Sequence, residues 1–231
     1  MKYFRFFLFT LFFVLFHLLV ISPLIFLSWI TRGEDALYKA YRLFWRATFF
    51  IFGIRFQIEG KENIPRPPFL ICPNHQSYID GPFFISHFPY PIKAMIKESI
   101  FKIPWVGQAL KIANFIKVKR AHPFKASIAY KEAEELLRKG KVLLIFPEGT
   151  RTRDGHLGKF KEGACRLAER VGVPILPAVF LNSRELLPRG KWVPGSGRVR
   201  VKFLTALPPK GNAKELCAEL KEVIKNALAQ D

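Results

Sequence analysis

From Phe6 to Ile30 the chain carries no formally charged side chain, and phenylalanine and leucine dominate the run. That stretch is long enough to cross a bilayer. It is too long for the apolar core of a secretory signal, and no small-residue cleavage site follows it. Ser22-Pro23 interrupts the run and leaves about 17 apolar residues before the proline, a marginal spanning length. Thr31-Arg32-Gly33-Glu34-Asp35 then reads as a polar turn and a helix start. Residues 36–52 place Lys39, Arg42 and Arg46 on one helical stripe, with Leu37, Tyr41, Phe44, Trp45 and Ile51 over much of the remaining surface. A basic stripe beside aromatics is what an interfacial helix needs on anionic lipid. A pair of helices dipping into one leaflet is therefore preferred to a simple span. A hairpin also keeps Lys2 and Arg5 on the same side as the basic remainder of the chain. Residues 1–56 are read as this membrane-embedded helical pair.

Residues 57–231 leave about 175 positions, a normal size for one domain. Ile54-Arg55-Phe56-Gln57-Ile58 alternates, as does Arg198-Val199-Arg200-Val201-Lys202-Phe203, and both predict strands with one wet face. Phe69-Leu70-Ile71-Cys72, residues 141–146 and residues 173–180 read as buried strands. Between them, residues 124–139, 163–171 and 213–229 have helical periodicity, and Gly140 terminates the first. The expectation is α/β: a single domain with a mixed central sheet flanked by helices, preceded by the membrane-embedded pair. Residues 187–197, rich in proline and glycine, form a loop.

The formal net charge is +19 over 231 residues, and no acidic residue lies between Glu98 and Glu132. Such a surface attracts anionic lipid headgroups and acidic carriers. Nucleic acid is the competing explanation, opposed by the apolar N-terminus and by the lack of any recognised nucleic-acid motif. Cys72, Cys165 and Cys217 are scattered and odd in number, which fits reduced, buried thiols in a domain facing the cytosol.

Two segments carry chemistry. In Cys72-Pro73-Asn74-His75-Gln76-Ser77-Tyr78-Ile79-Asp80-Gly81-Pro82, His75 and Asp80 are five positions apart. On a continuous helix they would point roughly 140° apart, so they meet only if the backbone turns between them. Pro73-Asn74 supplies that turn, and His75 then sits at the carboxyl end of a strand, where open α/β sheets place ligands. One reading makes His75 a general base held in tautomer by Asp80. The other makes Asp80 a helix cap and His75 a polar loop residue. The second segment is Phe146-Pro147-Glu148-Gly149-Thr150-Arg151. Gly149 permits close backbone approach, and Arg151 can grip a phosphate through two parallel bonds. A surface turn with a solvated arginine is the alternative.

Other catalytic signatures are missing from the sequence. There is no Gly-x-Ser-x-Gly elbow, no His-Glu-x-x-His, no zinc-like histidine spacing and no phosphate-binding Gly-x-x-x-x-Gly-Lys loop.

Taken together, these segments resemble the glycerolipid acyltransferase family, and within it the 1-acylglycerol-3-phosphate (lysophosphatidate) acyltransferases. The resemblance runs from about Phe69 to Phe180. His75 and Asp80 match the family's His-x4-Asp, and Glu148, Gly149, Thr150 and Arg151 match its Glu-Gly-Thr-Arg block. Val173-Pro174-Ile175-Leu176-Pro177 matches a proline-bearing strand that follows. In the remaining block, Asn114 stands where relatives usually carry glycine, Arg120 matches a phosphate-contacting arginine, and Lys97 corresponds to a further basic position.

The resemblance implies direct acyl transfer with no covalent acyl-enzyme. His75 would take the proton of the acceptor hydroxyl as it attacks the thioester. Arg151, Arg120 and Lys97 would hold the acceptor phosphate, and Glu148 would orient that cluster. Acyl-CoA or acyl carrier protein is the implied co-substrate, with no metal and no further cofactor. The implied partners are anionic membrane and lysophosphatidate, not nucleic acid, at the cytoplasmic membrane. Glycerol 3-phosphate or another lysophospholipid is the alternative acceptor. A basic membrane-binding protein without activity is the alternative of another class.

Overall fold

The computed structural model describes residues 2–31, 34–119, 123–152, 154–191 and 193–230. Seven strands form one sheet: β1 (Ile54–Glu59), β2 (Phe69–Pro73), β3 (Ile92–Lys97), β4 (Ile116–Val118), β5 (Val142–Leu144), β6 (Ile175–Leu181) and β7 (Gly197–Phe203). Their order is β1-β7-β6-β2-β5-β3-β4. All neighbours pair in parallel except β6 and β7, which makes the sheet mixed. β2 and β5 lie side by side at its centre, with Phe69 opposite Val142 and Ile71 opposite Leu144. The two chemistry-bearing segments therefore leave the sheet from adjacent strands at the same end.

Alternation along the central strands builds two cores. Leu70, Cys72, Leu143, Ile145, Ile175 and Val179 face one side. They pack under α6 (Pro123–Arg138), α7 (Gly163–Val171) and α9 (Ala213–Ala229). Phe69, Ile71, Val142, Leu144, Leu176 and Phe180 face the other. Those residues meet α3 (Asp35–Phe52), α4 (Asp80–His87) and the flank of α5 (Val106–Ile112). A short helix, α8 (Ser183–Leu186), follows β6 directly. All three cysteines are free and buried.

The N-terminal segment forms α1 (Lys2–Phe16), a π-helical turn over His17–Ile21, and α2 (Ser22–Thr31). Contrary to the sequence expectation, Ser22-Pro23 does not break it. The π turn widens the ladder just before Pro23, and the Ser22 hydroxyl donates to the His17 carbonyl at 2.8 Å. α3 runs back along this rod: Phe9 packs on Phe52, Phe13 on Phe44, and the Tyr41 hydroxyl lies 3.2 Å from His17 Nε2. Phe6–Thr31 is apolar and long enough to cross a membrane, and its outer face leaves Phe7, Leu19, Phe26 and Trp29 exposed.

The basic stripe of α3 is placed otherwise than the sequence suggested. Lys39 is exposed. Arg42 and Arg46, however, turn toward the α/β domain and donate to the carbonyls that end α4. Both reach Ser86 O, at 3.2 and 3.0 Å, and Arg42 also reaches Phe88 O at 3.0 Å. The last carbonyls of a helix have no partner within it, so two cations there satisfy them and the helix dipole together. A second clamp is Lys93, buried on β3, which donates to Glu34 at 2.6 Å and to Ala113 O at 2.7 Å.

Candidate active site

β2 ends at Pro73, and the next residue extends the sheet with its side chain. Asn74 Oδ1 accepts the Phe180 N–H at 2.7 Å and Asn74 Nδ2 donates to the Phe180 carbonyl at 3.0 Å. The Asn74 amide still donates to Ala178 O at 3.4 Å, and beyond it residues 75–79 turn away from the ladder so that His75 and Asp80 meet. His75 Nδ1 lies 2.9 Å from Asp80 Oδ2.

Asp80 does not cap α4: the cap position is Ile79, with no side-chain bond. Its carboxylate folds back onto the loop instead. Oδ2 also accepts the amides of Gln76 and Ser77, both at 2.8 Å, and Oδ1 accepts the Ser183 hydroxyl at 2.8 Å. A carboxylate so surrounded acts as an acceptor, so His75 Nδ1 carries the hydrogen between them. The Asp80 side chain is fully buried, while the His75 side chain is 17% exposed. The imidazole stacks on Phe146 at 3.8 Å, which fixes its plane.

The second segment leaves β5 and is tied to the first. Glu148 Oε1 accepts the His75 amide at 2.7 Å, Glu148 Oε2 accepts the Gly158 amide at 2.9 Å, and the Thr152 amide donates to His75 O at 2.9 Å. Burial pushes the Glu148 carboxyl up from its ordinary range, against the pull of those two amides. Gly149 has φ +69°, a left-handed conformation suited to glycine, and closes a turn onto Phe146 O at 3.0 Å. Arg151 lays its guanidinium over the Tyr78 ring, 3.3 Å from the centroid, and its Nη1 is buried with no hydrogen-bond partner among the described residues. A buried guanidinium nitrogen without an acceptor is costly unless an anion fills the place.

Two cavities meet these residues, one rich in charged side chains and one almost wholly apolar. Glu148, Thr150 and Arg151 line the charged one, of about 1490 Å³, bounded by α6 and α7. Phe146 and Tyr78 line the apolar one, of about 480 Å³, which extends to Phe9, Phe13 and His17 of the N-terminal rod. Leu187, Lys191 and Pro194, from the 187–197 loop, also flank the apolar cavity.

The sequence profile of the family described as Acyltransferase matches residues 55–181. The chain belongs to the acyltransferase family. Among the family's proteins, a 1-acyl-sn-glycerol-3-phosphate acyltransferase of Pseudomonas aeruginosa is 36% identical over 171 residues, 74% of this chain and 66% of that protein. A chloroplastic one of Arabidopsis thaliana is 34% identical over 178 residues, 75% of this chain and 49% of that protein. The chain thus spans about half to two thirds of the length of these curated relatives. The crystal structure of the 1-acyl-sn-glycerophosphate (LPA) acyltransferase of Thermotoga maritima superposes with a TM-score of 0.82 at 30% identity, covering 100% of this chain and 97% of that one.

Of the remaining residues singled out in the sequence, Arg120 lies outside the described residues. Lys97 ends β3, exposed, and lines neither cavity. Asn114, in the place of the family's usual glycine, has φ +52°, so the position demands a left-handed residue and asparagine meets the demand. Ser183 and Phe146 were not anticipated as site-building residues. Phe146 follows the β5 run and could have been suspected. Ser183 has no local signal at all.

Proposed function

We propose that the protein moves a fatty acyl group from an acyl thioester to the free sn-2 hydroxyl of 1-acylglycerol 3-phosphate, forming phosphatidate. The observation that carries this reading is that His75, paired with Asp80, stacks on Phe146 of the apolar cavity while its amide bonds Glu148 of the charged one. The reaction joins a phosphate-bearing acceptor to an acyl chain, and it needs a base where the two meet.

His75 Nε2 takes the proton of the acceptor hydroxyl as that oxygen attacks the thioester carbonyl. The tetrahedral intermediate then expels the thiolate. Asp80 holds the ring and stabilises the imidazolium that forms. General-base assistance of this kind is worth about 10²–10⁴-fold in rate. Arg151, with an unpartnered Nη1, binds the acceptor phosphate and so delivers the hydroxyl to His75 in a near-attack geometry. Glu148 ties the two loops together through His75 and Gly158 and takes no proton. The acyl chain lies in the apolar cavity.

The helical pair embeds its exposed apolar face in one leaflet of the cytoplasmic membrane, with the catalytic domain on the cytosolic side. Support comes from the packing of α3 on both the rod and α4, which lays the pair against the domain, and from the net charge of +19.

The test is an assay with lysophosphatidate and a palmitoyl thioester, following thiol release and product mass for wild type and His75→Ala. Phosphatidate that forms with the wild type and is lost in the variant supports both the reaction and the base. Thiol release without lipid product points to a thioesterase. Turnover unchanged by His75→Ala removes the proposed base.

A further inference from the structure

The charged cavity holds more cations than one acceptor phosphate can use. Seven lysine and arginine side chains line it against three carboxylates. Two of those carboxylates are committed locally: Glu148 to the amides of His75 and Gly158, and Asp154 to Thr152 and the His156 amide. Five of the cations form two groups. Arg151 and Lys161 sit at the Gly149 turn, where the Lys161 ammonium is close enough to touch any Cβ at residue 149. Arg166 and Arg170 lie one turn apart on the same face of α7, and Lys131 of the adjoining α6 lines the same cavity.

Arg170 stands about 10 Å along α7 from its first residue. The phosphate of a lysophosphatidate is fixed within two carbons of its reacting hydroxyl, so it belongs to the Arg151 group. Arg166 and Arg170 are 70% and 62% exposed and form surface ion pairs to Glu162 and Glu134. Such pairs contribute little and yield readily to a multivalent anion. The cations also line a concavity, not a projecting patch. A polyanion small enough to enter the cleft fits it, whereas a folded carrier protein would remain outside.

We propose that the outer end of this cleft, built by Lys131, Arg166 and Arg170, binds the phosphorylated nucleotide of a coenzyme A thioester. The inner end, at Arg151 and Lys161, takes the acceptor phosphate. This rests on the acyl-transfer reading above and names its donor. The nucleotide phosphates anchor at the α6–α7 wall, the pantetheine arm runs inward along the cleft, and the thioester reaches His75 beside the apolar cavity.

The test separates nucleotide recognition from chemistry. Coenzyme A is titrated calorimetrically into the full-length protein in detergent, with pantetheine as the phosphate-free control. Coenzyme A should bind and pantetheine should not, and Arg166→Gln/Arg170→Gln should weaken coenzyme A at least tenfold. In the acyl-transfer assay the same variant should raise the KM for palmitoyl-CoA at least tenfold and leave the KM for lysophosphatidate in place. Turnover of S-palmitoylpantetheine, which lacks the nucleotide, should match the wild type and serves as the folding control. Lys131→Gln should act in the same direction.

An unchanged KM for palmitoyl-CoA overturns the assignment, as does an equal loss with S-palmitoylpantetheine. So does phosphatidate made from acyl carrier protein by an enzyme that does not bind coenzyme A, an outcome that leaves the proposed reaction standing. Coenzyme A binding without transfer to lysophosphatidate would fail the reaction and keep the site.

Discussion

The Ser183 hydroxyl donates to Asp80 Oδ1 at 2.8 Å, joining the start of α8 to the loop that carries His75. Both residues are fully buried. Ser183 touches no reacting atom, yet it satisfies the carboxylate oxygen that His75 does not use, so Asp80 cannot rotate away from the imidazole.

Ser183→Ala should therefore lower kcat roughly tenfold while leaving the KM for lysophosphatidate near its wild-type value. A hydrogen bond to a charged group is worth about 1.5–3 kcal/mol, and part of that loss will appear as reduced stability. Steady-state kinetics check the split, with Ser183→Thr as the conservative control that restores the hydroxyl. A loss confined to thermal stability would make Ser183 purely structural.

Asn74 predicts a different pattern. Its side chain is the partner of both the N–H and the carbonyl of Phe180, in a fully buried part of β6. Asn74→Ala leaves both groups orphaned, at about 1–3 kcal/mol each. The unfolding midpoint in urea should fall accordingly. Because the substitution also frees the chain to continue along β6, His75 should lose its register with Asp80, and activity should fall beyond what the unfolded fraction explains. A stable, active Asn74→Ala would remove the strand-extension role.

Much of this architecture was legible beforehand because it rests on local periodicity. The helices at 163–171 and 213–229 and the strands that alternate around the sheet follow from which residues can be buried on one face. The five-residue spacing of His75 and Asp80 required a turn, and Pro73-Asn74 advertised one. Three features were not legible. Nothing local links Ser183 to Asp80, which is 103 positions away. The cost of Pro23 depends on whether the preceding turn can widen, and the π turn at His17–Ile21 is set by packing against α3. A helical wheel placed Arg42 and Arg46 on one stripe without saying what the stripe would meet, and it meets the end of α4.

That relocation changes what membrane binding should depend on. Arg42→Ala/Arg46→Ala removes the donors to Ser86 O and Phe88 O and should destabilise the junction between α3 and α4 by about 1–3 kcal/mol. Its affinity for vesicles containing anionic lipid should change less than twofold. Phe26→Asp/Trp29→Asp, on the exposed face of α2, should abolish vesicle binding without a comparable loss of stability. Co-sedimentation with sucrose-loaded vesicles and thermal melts distinguish the two. Binding lost in the arginine variant alone would return the stripe to the lipid surface.

The same junction should be sensitive to acid. His87, in the last turn of α4, stacks on Phe83 and packs against Phe56. Burial, with Arg46 and Arg42 adding to it, pushes its pKa down to about 4 from the ordinary 6.5. Unfolded, the imidazole is protonated below about 6.5; folded, it stays neutral until the pH approaches 4. The unfolded state therefore binds more protons across that window, and stability must fall as the pH falls through it. The contribution is fully present above about 6.5 and lost by about 4. Thermal melts between pH 7 and 4 should show a steeper decline for the wild type than for His87→Phe, which has no proton to gain. Parallel declines would mean that other groups govern the acid response, and that His87 is protonated in the folded protein as readily as in the unfolded chain.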